Sequence, residues 1–122
     1  MLKRIWRGLL WDQVLNQARK DNYAVSLERL RQMEAIEPLR PYERATRATL
    51  FLRNGEYQRA ERELRDLIRD LAGEGDPSRA YTRLYCEHLL STMEGDLDRQ
   101  RTARREALAL DTTAALKRWL PL

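Results

Sequence analysis

Cys86 and His88 are the only cysteine and the only histidine in the chain, and they stand two residues apart. A thiol beside an imidazole could form a nucleophile–base pair or half of a metal site. Either use needs both side chains on one side of the backbone. Their surroundings, "RLYCEHLL", read as helix, and residues two apart on a helix do not face each other. His88 is therefore expected to pack between helices, and Cys86 to be an inert core thiol. A lone cysteine also excludes an internal disulfide. The segment "EGDLD", Glu94 to Asp98, offers three carboxylates but lacks the ligand spacing and closing glutamate of a calcium loop. It reads instead as a turn followed by a helix start, with Asp96 as N-cap. No glycine-rich phosphate cradle or dinucleotide fingerprint occurs. The expectation is a non-enzyme with no cofactor and no metal.

The chain has 122 residues, 43% hydrophobic and 34% charged, which suits a single soluble globular domain. Net charge is +4, and only Lys3, Lys20 and Lys117 among the 23 basic residues are lysines. The arginines are mixed with glutamates along the chain, the pattern of an ion-paired solvated surface. No basic block marks a nucleic-acid face, so no specific nucleic acid is expected; a nucleic-acid-associated regulator is the weakest reading. No run approaches the roughly 20 apolar residues of a spanning helix, and no small-residue cleavage site follows the apolar start, so a cytoplasmic location is expected.

Leu, Ala, Glu, Arg and Gln dominate, whereas β-branched residues are few and nothing alternates as a strand would. Breaks fall at Asp21–Asn22, Pro38–Pro41, Asn54–Gly55, Gly73–Pro77, Gly95–Asp96 and Asp111–Thr113. The spacing predicts six helices and a short tail. The segments also repeat. "DNYAVSLERLRQMEAIEP" from Asp21 aligns with "GEYQRAERELRDLIRDLA" from Gly55, with Tyr23 and Tyr57 placed 34 residues apart. A third copy, "GDLDRQRTARREALALDT", begins at Gly95, after the inserted loop "GEGDPS".

The chain resembles the tetratricopeptide repeat, a pair of antiparallel helices with a 34-residue period. A turn residue ends each first helix (Asp21, Gly55, Gly95), and an aromatic or leucine opens each second helix (Tyr23, Tyr57, Leu97). A small residue one turn later admits close helix approach (Ser26, Ala60). The third copy departs most, with Gln100 and Arg104 where the family has a small and a bulky apolar residue. The resemblance implies three antiparallel helix pairs in a right-handed α-α superhelix, all in one domain. Its repeats would span about 7–38, 41–72 and 79–111, with an insert at 73–78 and a C-terminal cap at 112–122. Leu116, Trp119 and Leu120 would form the cap's apolar stripe.

The resemblance further implies a concave groove lined by first helices, holding a peptide or helix. Carried across, the groove positions are Trp11, Leu15, Ala18 and Arg19; Tyr42, Ala45, Thr49, Leu52 and Arg53; and Thr82, Tyr85, Leu89, Thr92 and Met93. They lack a lysine–asparagine clamp for a terminal carboxylate. Aromatic and aliphatic residues edged by two arginines suit an apolar partner segment with acidic flanks, in an adaptor, scaffold or small chaperone. Self-filling of the groove by the chain's own ends is the competing expectation.

The first residues, "LKRIWRGLLW", place Leu2, Ile5, Trp6, Leu9 and Leu10 on one helical face and Lys3, Arg4 and Arg7 on the other. Three uses follow: an extension of the first helix packed on the repeats, a homodimer contact, or an anchor on an anionic membrane surface. The last two make the alternative to groove binding, a homo-oligomeric assembly or membrane-surface accessory protein.

Overall fold

Each break in the sequence ends a helix. The computed structural model describes all 122 residues and is all-α. Its helices are α1 (Leu2–Arg19), α2 (Tyr23–Ile36), α3 (Pro41–Arg53), α4 (Tyr57–Asp70), α5 (Pro77–Glu94), α6 (Leu97–Leu108) and α7 (Ala114–Trp119).

The turns inside the three helix pairs are the same device used three times. Asp21, Gly55 and Gly95 all take positive φ, at 61°, 80° and 73°. The next residue's N–H then reaches back to a carbonyl of the last helical turn. Asn22 donates to Gln17, Glu56 to Phe51 and Asp96 to Ser91, at 2.9, 2.8 and 2.9 Å. The turn residues themselves donate to Ala18, Leu52 and Thr92. This double closure satisfies carbonyls that the helix end would leave orphaned. Glycine adopts the conformation freely; Asp21 is the one side-chain-bearing residue that does so.

Helix starts are equally local. Asp76, Asp96 and Thr113 accept from the backbone N–H of Arg79, Arg99 and Leu116, respectively. Pro41 and Pro77 open α3 and α5, where a missing N–H costs nothing.

Adjacent helices pack as antiparallel pairs, α1 with α2, α3 with α4, and α5 with α6. Cross-pair contacts fix the sense: along α3, Arg44 meets Asp70, Arg47 meets Glu63, and Phe51 lies under Arg59. The close-approach positions behave as expected. Ser26 and Ala60 are fully buried, and the Ser26 hydroxyl donates to the Val14 carbonyl at 2.8 Å. Tyr57 and Leu97, which open the second helices, are exposed and do not pack into their turns. The turn is held by its backbone bonds instead.

Two apolar clusters form the interior. One joins Leu10, Trp11 and Val14 of α1 to Leu30 and Met33 of α2, with Leu39 and Leu50. The other joins Leu64 and Leu67 of α4 to Tyr81, Leu84, Tyr85, Cys86 and Leu90 of α5, with Ala107 of α6. Leu116 and Leu120, on either side of α7's last turn, belong to the second cluster.

Arg7 departs from its expected place with Lys3 and Arg4 on a solvated face. It is buried and forms a two-pronged ion pair with Glu43, both N–H···O distances being 2.7 Å. Glu43 also accepts from the Arg40 N–H at 2.8 Å, and Arg7 donates to the Pro38 carbonyl at 3.2 Å. One carboxylate thus ties α1 to the start of α3.

Candidate protein-binding groove

The odd-numbered helices α1, α3 and α5 share one face, and α7 lies across it. Trp119 stacks on Tyr42 with ring centroids 4.8 Å apart and planes inclined by 22°. It meets Trp11 edge-on at 5.6 Å, and Trp11 meets Tyr42 at the same distance and a steep angle. Offset stacking and edge contacts are the arrangements that the aromatic quadrupoles favour. The Tyr81 hydroxyl donates to the Leu120 carbonyl at 2.7 Å, which carries the tail on to α5. The apolar stripe expected at Leu116, Trp119 and Leu120 exists. It is spent on the odd-helix face, against Trp11, Tyr42 and Tyr81.

This seat changes the status of several candidate groove residues. Trp11 is buried under Tyr42 and Trp119, so it is closed to a partner. Tyr42 is half-buried, with one ring face taken by Trp119. Ala45 and Thr82 are core. Tyr85 is buried as well, and its hydroxyl shares a 2.8 Å hydrogen bond with Thr49 Oγ1. Burial pushes the Tyr85 phenol up to about 12, with the Thr49 bond opposing it. These residues build the wall of the face and do not present themselves from it.

The rest remain reachable. Leu15, Ala18, Leu52, Leu89 and Met93 are half-buried, and Thr92 is exposed. Arg19 and Arg53 are exposed, and neither takes part in an ion pair, although most arginines on α2 to α5 do. Arg53 lies near enough to Tyr85 for its charge to act on the phenol. The accessible part is therefore an apolar strip toward the turn ends of α1, α3 and α5, with two unpaired cations beside it.

On the other side of the molecule, a cleft of about 340 Å³ opens between α2 and α4 over Leu27 and Phe51. Its rim charges satisfy one another: Arg31 with Glu28, Arg47 with Glu34, and Arg59 with Glu56. No charge is left there to orient a ligand.

Cys86 is fully buried, and burial raises its thiol well above the ordinary range. The His88 ring turns toward the Gln100 carbonyl, with Nδ1 at 3.4 Å. The two side chains sit in different surroundings, as their spacing requires. The residues that escaped sequence reasoning are Arg7, Glu43 and Tyr81. Glu43 had a local signal, since it follows Arg40 by three residues behind Pro41, a capping position that turns a carboxylate toward the helix start.

Comparison of the chain with protein-family models, with curated proteins and with solved structures finds no match.

Proposed function

We propose that the chain is a non-enzymatic protein-interaction module. It is read as a tetratricopeptide-like right-handed superhelix of three helix pairs, working in the cytoplasm as an adaptor, scaffold or small chaperone. Its ligand is a helical or extended apolar segment with acidic flanks, laid along Leu15, Leu52, Leu89 and Met93, with Arg19 and Arg53 meeting the acids.

The observation that supports this reading is the seat of α7. The odd-helix face takes a short helix through one aromatic anchor, Trp119, and two leucines, Leu116 and Leu120. Helix-in-groove recognition uses the same few anchors. The accessible strip continues that face with similar chemistry.

Site-specific photo-crosslinking in cells tests it. A photoreactive residue at Leu52 or Leu89 should join one discrete protein partner, and one at Gln58 on the outer surface should not. Arg19→Glu with Arg53→Glu should abolish that product while leaving the melting curve little changed, because both residues are exposed and unpaired. Equal crosslinking from Gln58 and Leu52 overturns the reading.

A further inference from the structure

The first three turns of α1 carry an apolar ridge that is largely exposed. Leu2 is 82% exposed, Ile5 56%, Trp6 50% and Leu9 50%. The side chains recur at helical spacing, so they form one stripe about 11 Å long. Trp11 and Val14, on the other side of the same helix, are core, and Leu10, expected on the ridge, is buried with them. The ridge is thus held rigidly outward by a helix already folded, and its presentation costs no further ordering.

Its charge is one-sided. No acidic residue occurs before Asp12. Lys3 and Arg4 leave the helix on its polar side, away from the ridge, and neither forms an ion pair or a side-chain hydrogen bond with the rest of the chain. The helix N-terminus adds its own partial positive charge at this end. The occupant must therefore be apolar at the centre and anionic at the edges.

We propose that this stripe docks the protein on an anionic bilayer, with Leu2, Ile5, Trp6 and Leu9 in the headgroup–acyl boundary and Lys3 and Arg4 on lipid phosphates. A second copy fits poorly, because paired α1 ridges would bring two acid-free basic segments together. A partner helix fits poorly too. Met1 to Trp6 are all exposed, so the feature is a convex ridge and not a groove between two helices. A bilayer accepts a convex ridge, and an interfacial helix buries its apolar face about 5–10 Å deep. No helix of the chain is long and apolar enough to cross a membrane, so the contact is a surface one.

Flotation of the full chain with phosphatidylglycerol–phosphatidylcholine vesicles and with phosphatidylcholine vesicles tests the proposal. The protein should float with the first and not with the second, and added salt should release it. Lys3→Gln with Arg4→Gln should lower partitioning by more than about tenfold. Ile5→Ser with Leu9→Ser should abolish it with little change in the melting curve, because both residues are exposed. No flotation on anionic vesicles overturns the proposal, as does flotation that the Ile5 and Leu9 changes leave intact. A dimer in sedimentation that those changes dissolve, without flotation, assigns the ridge to a second copy and also overturns it. So does a synthetic acidic amphipathic peptide that binds the ridge when vesicles do not.

Discussion

Arg7 and Glu43, 36 residues apart in sequence, meet through two 2.7 Å hydrogen bonds in a site where Arg7 is 6% and Glu43 1% exposed. Taking two charges out of water is costly, and mutual attraction offsets the cost only while both partners are present. Glu43→Leu should therefore destabilise by about 3–5 kcal/mol, and Arg7→Met by a similar amount. Combining Arg7→Met with Glu43→Leu in one chain should cost much less than the sum of the two. Urea unfolding of the parent, the two single variants and the double variant measures the coupling. Additive costs would show that the pair is not a unit.

The tail's position leads to a second expectation. Leu120 is fully buried and Trp119 holds the stack, whereas Arg118 is exposed. Leu120→Ala should cost about 2–4 kcal/mol. Trp119→Ala should lower stability and flatten the near-ultraviolet circular dichroism of the Trp11–Tyr42–Trp119 cluster, while Arg118→Ala should do neither. If removing residues 112–122 leaves the melting temperature unchanged, the tail does not lie on this face.

What could be read in advance follows from the range of the interactions involved. The helix ends were legible because their causes are local. Asp21, Gly55 and Gly95 each close a turn within six residues, and Asp96 caps its own helix. Ser26 and Ala60 were legible for the same reason, as small residues at fixed distances from those turns. Arg7 was not. On a helical wheel it falls with Lys3 and Arg4, and nothing near it announces a carboxylate on α3. Likewise Leu116, Trp119 and Leu120 declare an apolar stripe, but where the stripe docks depends on Tyr42 and Tyr81, far away in sequence.

Ala60 provides a direct check on the helix contact beside the second turn. It is fully buried where α3 and α4 approach, and Gln58 two residues earlier is exposed. Ala60→Arg should destabilise by a few kcal/mol through overpacking, about 1–3 or more. Gln58→Arg should stay within about 0.5 kcal/mol of the parent. Thermal melts of the two variants decide it, and equal tolerance of both would refute the packing.

High pH should unfold the protein partly through Tyr85. Burial raises the phenol from its ordinary 10.0 to about 12, so the folded form keeps its proton after the unfolded chain has lost it. Between those values the unfolded state binds fewer protons, and stability falls as pH rises. The contribution is fully present below about pH 10 and lost by about pH 12, roughly 2–3 kcal/mol in size. Tyr85→Phe should flatten this part of the stability–pH curve, at some cost from the unpaired Thr49 hydroxyl. A wild-type curve and a Tyr85→Phe curve of the same alkaline slope would rule the mechanism out.

Gly8 and Gly55 make a controlled comparison. A Cβ added at either would meet nothing within 4 Å, so space does not distinguish them. Backbone does. Gly8 lies inside α1 with helical geometry, where alanine loses less conformational entropy on folding. Gly55 sits at φ +80°, where a Cβ crowds the following carbonyl. Gly8→Ala should stabilise by about 0.5–1 kcal/mol, and Gly55→Ala should destabilise by about 1–2 kcal/mol. Opposite signs in chemical denaturation are expected although both sites are open. Stabilisation by both changes would mean that the Asn54–Gly55 turn does not need its left-handed residue. The repeated closure at Asp21, Gly55 and Gly95 would then lose its physical basis.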